Sequence, residues 1–223
     1  MPITRRAATF RILLPALLGA APALRGADAA ITLLTTKVDD AFLDAAGPQL
    51  KVVANVAVGY NNIDVPACTQ RNVIVTNTPG VLTDATADIA MALILMVTRR
   101  LAEGERVIRS QTPWQWGMFY MLGSGIQGRQ LGIVGMGQIG IATARRAKAF
   151  GMTVLAFDPY VTADQMQAVG VIHAVDISSA LPKADYVTVH MPGGQAPVLG
   201  PMELAWMKPT AIVVNAARGD LID

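Results

Sequence analysis

A single cysteine, Cys68, stands among the 223 residues, so the chain can form neither an internal disulfide nor a cysteine zinc cage. The simplest reading of that thiol is a small buried apolar residue. Charge is also scarce, at 15% of residues with a formal net charge of +2. Three of the positive charges, Arg5, Arg6 and Arg11, crowd the N-terminus, and the others are dispersed. No basic stripe is interleaved with aromatics, which excludes nucleic acid as an expected partner. Long hydrophobic runs are missing too. The stretch Ile12 to Leu24 is too short to span a bilayer and carries Pro15 and Pro22, so no membrane partner is expected. No internal repeat or low-complexity segment occurs. What is abundant is apolar side chain: 52% of residues are hydrophobic, ample for a buried core and contrary to disorder. The length suits one large domain or two small ones.

Two readings of Met1 to Ala29 stand side by side. The pair Arg5-Arg6, the apolar run and Ala27-Asp28-Ala29 together outline an export signal of the twin-arginine type. However, Phe10 lies farther from the arginine pair than that type places it, and Arg25 and Asp28 crowd the supposed cleavage point. The other reading is the first strand and helix of a domain, with a cytoplasmic location.

Strand and helix patterns then alternate. Ala30 to Thr35, Lys51 to Val58 and Val73 to Thr76 are short apolar strand candidates, with a helical turn or two at Val38 to Ala46 stopped by Gly47-Pro48. This order predicts an α/β layered domain. Asp88 to Arg109 reads as one long helix, and its first half is apolar nearly all round and should be buried. Gln111 to Gly125 breaks the periodicity and reads as an irregular connector. A second α/β pattern begins at Gln130. The chain therefore divides into a first domain over 1–87 and a second over 88–223.

The second pattern opens on a strand candidate, Leu131 to Gly135, that runs into Gly135-Met136-Gly137-Gln138-Ile139-Gly140. Helix-compatible residues follow to Phe150 and stop at Gly151, a good helix end. The next strand, Thr153 to Phe157, closes on Asp158. Strand, G-x-G-x-x-G, helix, strand and terminal acid form the ordered outline of a dinucleotide-binding unit. Gly135 allows the tight turn, Gly137 lets a pyrophosphate approach the backbone, and Gly140 lets the helix pack closely on the strand. The helix start offers unpaired N–H groups and partial positive charge. Asp158 would accept from the ribose hydroxyls and repel the extra phosphate of NADP, so NAD is expected and NADP disfavoured. Two further strand candidates, Asp185 to His190 and Ala211 to Asn215, end near the same edge. They aim His190, Met191 and Ala216 to Gly219 at the coenzyme.

Four blocks of the sequence, at 55–64 (NVAVGYNNID), 75–90 (VTNTPGVLTDATADIA), 131–140 (LGIVGMGQIG) and 213–223 (VVNAARGDLID), resemble the consecutive signatures of the D-isomer-specific 2-hydroxyacid dehydrogenases. The nearest branch is that of the glyoxylate/hydroxypyruvate reductases, and the resemblance runs from about Leu24 to Asp223. It implies two Rossmann-like parallel-sheet domains, one flavodoxin-like and substrate-binding, the other NAD-binding, with the active site in the cleft between them. It further implies that Val58-Gly59 presents backbone N–H groups to the substrate carboxylate. Thr86 matches a position near the coenzyme phosphates, and Gln138 and Ile139 match those that cradle the pyrophosphate. Arg218 matches the catalytic arginine, whose planar fork holds the carboxylate and polarises the carbonyl. Trp116 matches a tryptophan that closes the substrate pocket, sometimes from a partner subunit; plain packing is the alternative. A homodimer through the long helix is implied as well.

The resemblance places a glutamate and a proton-donating histidine beyond Asp223, together with the last strand and a return helix, so a C-terminally truncated member is expected. His173 reads as structural, and His190 matches the H-x-P segment rather than the proton donor. Two functions follow. One is an oxidoreductase passing hydride between NAD(H) and a small 2-oxoacid, of the glyoxylate or hydroxypyruvate type. The other is an NAD-binding chain without turnover, impaired or redox-sensing.

Overall fold

The computed structural model describes residues 12–13, 24–111, 113–193 and 196–223. Arg5, Arg6 and Phe10, on which the export reading turns, lie outside the described residues, as do Arg11, Pro15 and Pro22. Two compact units, Met1–Val81 and Leu82–Asp223, divide the chain just ahead of a helix that a cut at 87/88 would enter. Each unit is taken by itself.

The first unit carries β1 (Ile12–Leu13), β2 (Ala29–Thr32), α1 (Asp40–Ala46), β3 (Val52–Asn55), α2 (Val65–Gln70) and β4 (Ile74–Thr76). The four strands pair in parallel in that order. Each helix starts where an aspartate accepts from an N–H three residues on: Asp39 from Phe42 at 3.1 Å and Asp64 from Ala67 at 2.9 Å. Leu24, Val38, Phe42, Leu43, Val53 and Cys68 form the core, and burial raises the thiol's pKa. The predicted strand Lys51 to Val58 is cut short. The chain leaves the sheet after Asn55, because its side chain and those around it hold the next residues in a loop.

The second unit opens on α3 (Thr83–Thr98) and α4 (Leu101–Arg109). Then follow β5 (Gln130–Val134), α5 (Gln138–Ala149), β6 (Thr153–Phe157), α6 (Ala163–Ala168), β7 (Ile172–His173), α7 (Ile177–Ala180), β8 (Tyr186–Val189), α8 (Pro201–Trp206) and β9 (Ile212–Asn215). All five strands are parallel, in the order β7-β6-β5-β8-β9. The order reverses between β5 and β8, which makes the end of β5 the topological switch point where ligands of such sheets collect. Leu131, Ile133, Val154, Tyr186 and Val214 join Met91 and Ile94 of α3 in the main core.

Two expectations fail here. The single long helix is two helices, with Arg100 in the left-handed region (φ 55°) between them. The Thr98 carbonyl, which a continuous helix would use internally, instead accepts from the Ser124 N–H at 2.8 Å. A Cβ on Gly123 would stand 2.3 Å from that same oxygen, so the close approach depends on glycine there. Nor is the apolar first helix buried all round. Ala87, Ala90, Met91 and Ile94 face the core, while Ile89 and Val97 are more than half exposed. No helix among the described residues is long and apolar enough to cross a membrane.

Candidate functional site

The glycine turn meets its steric requirements one by one. Gly135 has φ 101°, and a Cβ there would lie 2.5 Å from the His190 carbonyl oxygen. Gly140 sits so close under the turn that a Cβ would lie 2.2 Å from the Gly135 oxygen. A Cβ on Gly137 would meet nothing within 4 Å, so the space over this residue is open. Gly137 caps α5 without any side-chain bond, and Ile141 is the first helical residue to donate backward, to the Gly137 carbonyl. Among the described residues, the N–H groups of Gly137, Gln138, Ile139 and Gly140 donate to no protein acceptor. Four unpaired donors at a helix start beside open space suit a diphosphate. At the other end of α5, Gly151 donates to Lys148 at 2.9 Å and Met152 to Ala147 at 3.1 Å, the double closure expected of a glycine stop.

Asp158 ends β6 beside this turn, and both of its oxygens are engaged. One accepts the Met136 N–H at 2.7 Å and the other the Tyr160 N–H at 2.8 Å. The acid therefore fixes the turn as well as facing its mouth, a role its sequence position did not reveal. Each carboxylate oxygen keeps a second lone pair for a hydroxyl donor.

The neighbouring strand end completes this edge. His190 follows β8 and donates its N–H to Val134 at 2.8 Å. Its Nε2 pairs with the Thr188 hydroxyl at 3.2 Å, while its Nδ1 is buried without a partner. Burial lowers its pKa from 6.5 to about 4, so the ring is neutral at physiological pH. Met191 packs beside the turn: a Cβ on Gly135 would touch its Cγ at 2.9 Å. After β9, Asn215 organises the next turn, accepting from the Ala217 N–H at 3.0 Å and donating to the Arg218 carbonyl at 2.6 Å. Ala216, Ala217 and Arg218 are half-buried there. Gly193, beyond β8, lies against Arg218 and Asp220: its Cβ would stand 2.8 Å from Arg218 Cγ. Thr86 is half-buried on the first turn of α3. One turn earlier, Thr83 donates its hydroxyl to the Gln138 side chain at 3.2 Å, tying the start of α3 to the start of α5. Thr83 precedes Asp88, the predicted start of this helix, and stands in the 75–90 block with no role assigned to it from sequence.

Trp116, on the connector after α4, is 82% exposed. Trp114 stacks on Tyr120 with ring centroids 5.7 Å apart. His173 lies half-buried on the edge strand β7. Among the described residues, no group of three or more potential metal ligands comes together.

In the first unit, Val58 and Gly59 occupy the loop that follows β3, both half-buried. The Val58 carbonyl accepts from Asn77 at 2.7 Å and the Gly59 carbonyl from Asn55 at 2.9 Å.

Residues 91–223, more than half of the chain, match the profile of the D-isomer specific 2-hydroxyacid dehydrogenase NAD binding domain. The chain belongs to this family. A glyoxylate reductase of Thermococcus litoralis is 43% identical over 207 residues, covering 90% of this chain and 62% of that protein. Among solved structures, the TT0316 protein of Thermus thermophilus superposes with a TM-score of 0.81 at 38% identity, covering 90% of this chain and 63% of that one. The D-lactate dehydrogenase of Aquifex aeolicus, solved with NAD and lactic acid, gives a TM-score of 0.80 at 25% identity, covering 90% and 59%. This family member thus spans about three fifths of the length of such relatives. Its two parallel-sheet units are those of the D-2-hydroxyacid dehydrogenases.

Proposed function

We propose that this protein transfers hydride between NAD(H) and a small 2-oxoacid or D-2-hydroxyacid, of the glyoxylate or hydroxypyruvate type. The observation that carries the proposal is the glycine turn at the switch point, with four unpaired N–H groups over open space and Asp158 at its mouth. Gln138, Ile139 and the three glycines would hold the diphosphate, Asp158 the ribose, and Thr86, Met191, Ala216 and Ala217 would line the remainder. When bound, the nicotinamide supplies or receives the hydride. Arg218 would hold the carboxylate and stabilise the developing oxyanion, and the N–H groups of Val58 and Gly59 would bind the carboxylate.

NADH is expected to bind about tenfold more tightly than NADPH, a difference of about 1.4 kcal/mol, because Asp158 accepts hydroxyls and repels phosphate. Asp158→Ala should narrow that gap in paired titrations. Tighter binding of NADPH by the unaltered protein would remove the assigned role.

A second reading, coenzyme binding without turnover, is favoured by the two histidines. His190 is neutral, buried and bonded to Thr188, and His173 lies on an edge strand, environments that suit structural roles. Loss of a general acid lowers a rate by about 10²–10⁴. An assay of NADH consumption with glyoxylate and with hydroxypyruvate separates the two readings. Turnover at a dehydrogenase-like rate supports the first, and saturable binding with no consumption supports the second.

We also propose a homodimer. Val97, Leu101, Ile108, Trp116, Met118 and Phe119 are exposed apolar side chains on α3, α4 and the following connector, all within the second unit. Surface of this kind marks an interface. Light scattering should return twice the chain mass, and Phe119→Asp should halve it. A monomeric unaltered protein at micromolar concentration would contradict the assignment.

A further inference from the structure

The loop after β3 has three consecutive carbonyls pinned from the sheet side. Ala57 O accepts from the Thr78 N–H at 2.9 Å, Val58 O from Asn77 Nδ2 at 2.7 Å, and Gly59 O from Asn55 Nδ2 at 2.9 Å. A trans peptide is planar, and its N–H points opposite to its C=O. Among the described residues no peptide bond is cis. Fixing these three carbonyls therefore turns the next three N–H groups, those of Val58, Gly59 and Tyr60, away from the partners that hold them. None of the three donates to any acceptor among the described residues.

The amides that do the holding are themselves oriented. Asn55 is buried, and its Oδ1 accepts from the Thr32 hydroxyl at 2.9 Å. Asn55 and Asn62 exchange reciprocal side-chain bonds at 3.2 and 3.3 Å, and Asn62 is anchored by the carbonyls of Leu33 at 3.1 Å and Thr36 at 2.8 Å. Reversing the Asn55 amide would set oxygen against the Gly59 carbonyl, so the donor direction is fixed by the network rather than by convention.

We infer that Asn77 and Asn55 are positioning residues for the substrate anion: by holding the carbonyls of Val58 and Gly59, they direct the N–H groups of Val58, Gly59 and Tyr60 outward as one carboxylate site. Tyr60 is thereby a third donor beside the two that resemblance assigns. The inference rests on the 2-oxoacid reading above. A side chain that merely braces the loop would affect all three amides alike. Here each asparagine governs one N–H: Asn77 that of Gly59, and Asn55 that of Tyr60.

The experiment is a ¹⁵N-resolved titration of the full chain with oxamate, a non-reactive 2-oxoacid mimic, followed by NADH on the same samples. In the unaltered protein, oxamate should shift the Val58, Gly59 and Tyr60 amides above all others in their unit. Asn77→Leu, of similar shape without a donor, should weaken oxamate by about tenfold or more and remove the Gly59 response while that of Tyr60 persists. Asn55→Leu should do the reverse. Equal loss at all three amides in both variants, or unchanged affinity, would overturn the inference. Should either variant fail to fold, the unaltered protein decides: no response at these three amides overturns it. NADH separates this failure from that of the broader reading. Saturable NADH shifts at Gln138 and Ile139 with silent loop amides sink the inference alone. An absent NADH response sinks the coenzyme assignment whatever the loop does.

Discussion

Gly140→Ala is expected to abolish useful NADH binding, with an affinity loss of about 100-fold, equivalent to two steps of about 1.4 kcal/mol each. A Cβ at this position would lie 2.2 Å from the Gly135 carbonyl oxygen, and backbone, not a flexible side chain, is what it would strike. The start of α5 must then move off the turn, which separates the very N–H groups that face the open space over Gly137. Overpacking of this sort also costs stability, about 1–3 kcal/mol. The control is Gly125→Ala, where a Cβ would meet nothing within 4 Å. Calorimetric titration of both variants checks the difference. Wild-type affinity in Gly140→Ala would mean that the turn is not where the coenzyme lies.

The second large effect concerns pH. Burial holds the His190 pKa near 4, against 6.5 for an ordinary histidine. In the unfolded chain the ring takes up a proton below about 6.5, whereas in the folded chain it resists until about 4. The sign follows: the folded state's advantage is complete above the unfolded value and drains away as pH falls from 6.5 towards 4. The full difference amounts to about 3 kcal/mol. Urea unfolding of the unaltered protein and His190→Gln, compared across that window, isolates the histidine from the carboxylates common to both. The stability gap between the two proteins should change steeply through the window. A gap that stays constant would show that the ring is solvated in the folded state. Because His190 lies between the glycine turn and the Arg218 turn through its neighbours Gly135, Met191 and Gly193, acidification should loosen this edge first.

Much of this was legible in the residues. Gly135 and Gly140 each answer a local steric demand, and local demands leave a fixed spacing in the chain. Asp158 was legible for the same reason, since a strand of known length carries it from the turn. The parallel sheets were readable in the short Val- and Ile-rich runs. Other features depend on register between distant segments and left no local trace. The break between α3 and α4 needs Ser124 to reach the Thr98 carbonyl, and no periodicity within the helix announces that. The apolar cover of α3 suggested full burial, but composition does not reveal which apolar face has a neighbour within its own unit. The second task of Asp158, holding the Met136 N–H, appears only once β5 and β6 are paired. Asn77 and Asn55 likewise sit in matched blocks, yet their grip on the Val58 and Gly59 carbonyls emerges only from the alignment of β3 with β4. Thr83 became visible only when α3 lay beside α5.

Everything assigned to the coenzyme depends on the backbone donors that open α5. The most direct measurement is an amide-resolved titration of the 223-residue protein with NADH. The largest shifts should fall on Gly137, Gln138, Ile139 and Gly140, with Asp158 close behind. Saturable binding that leaves those amides unmoved, or no binding at all, would contradict the assignment.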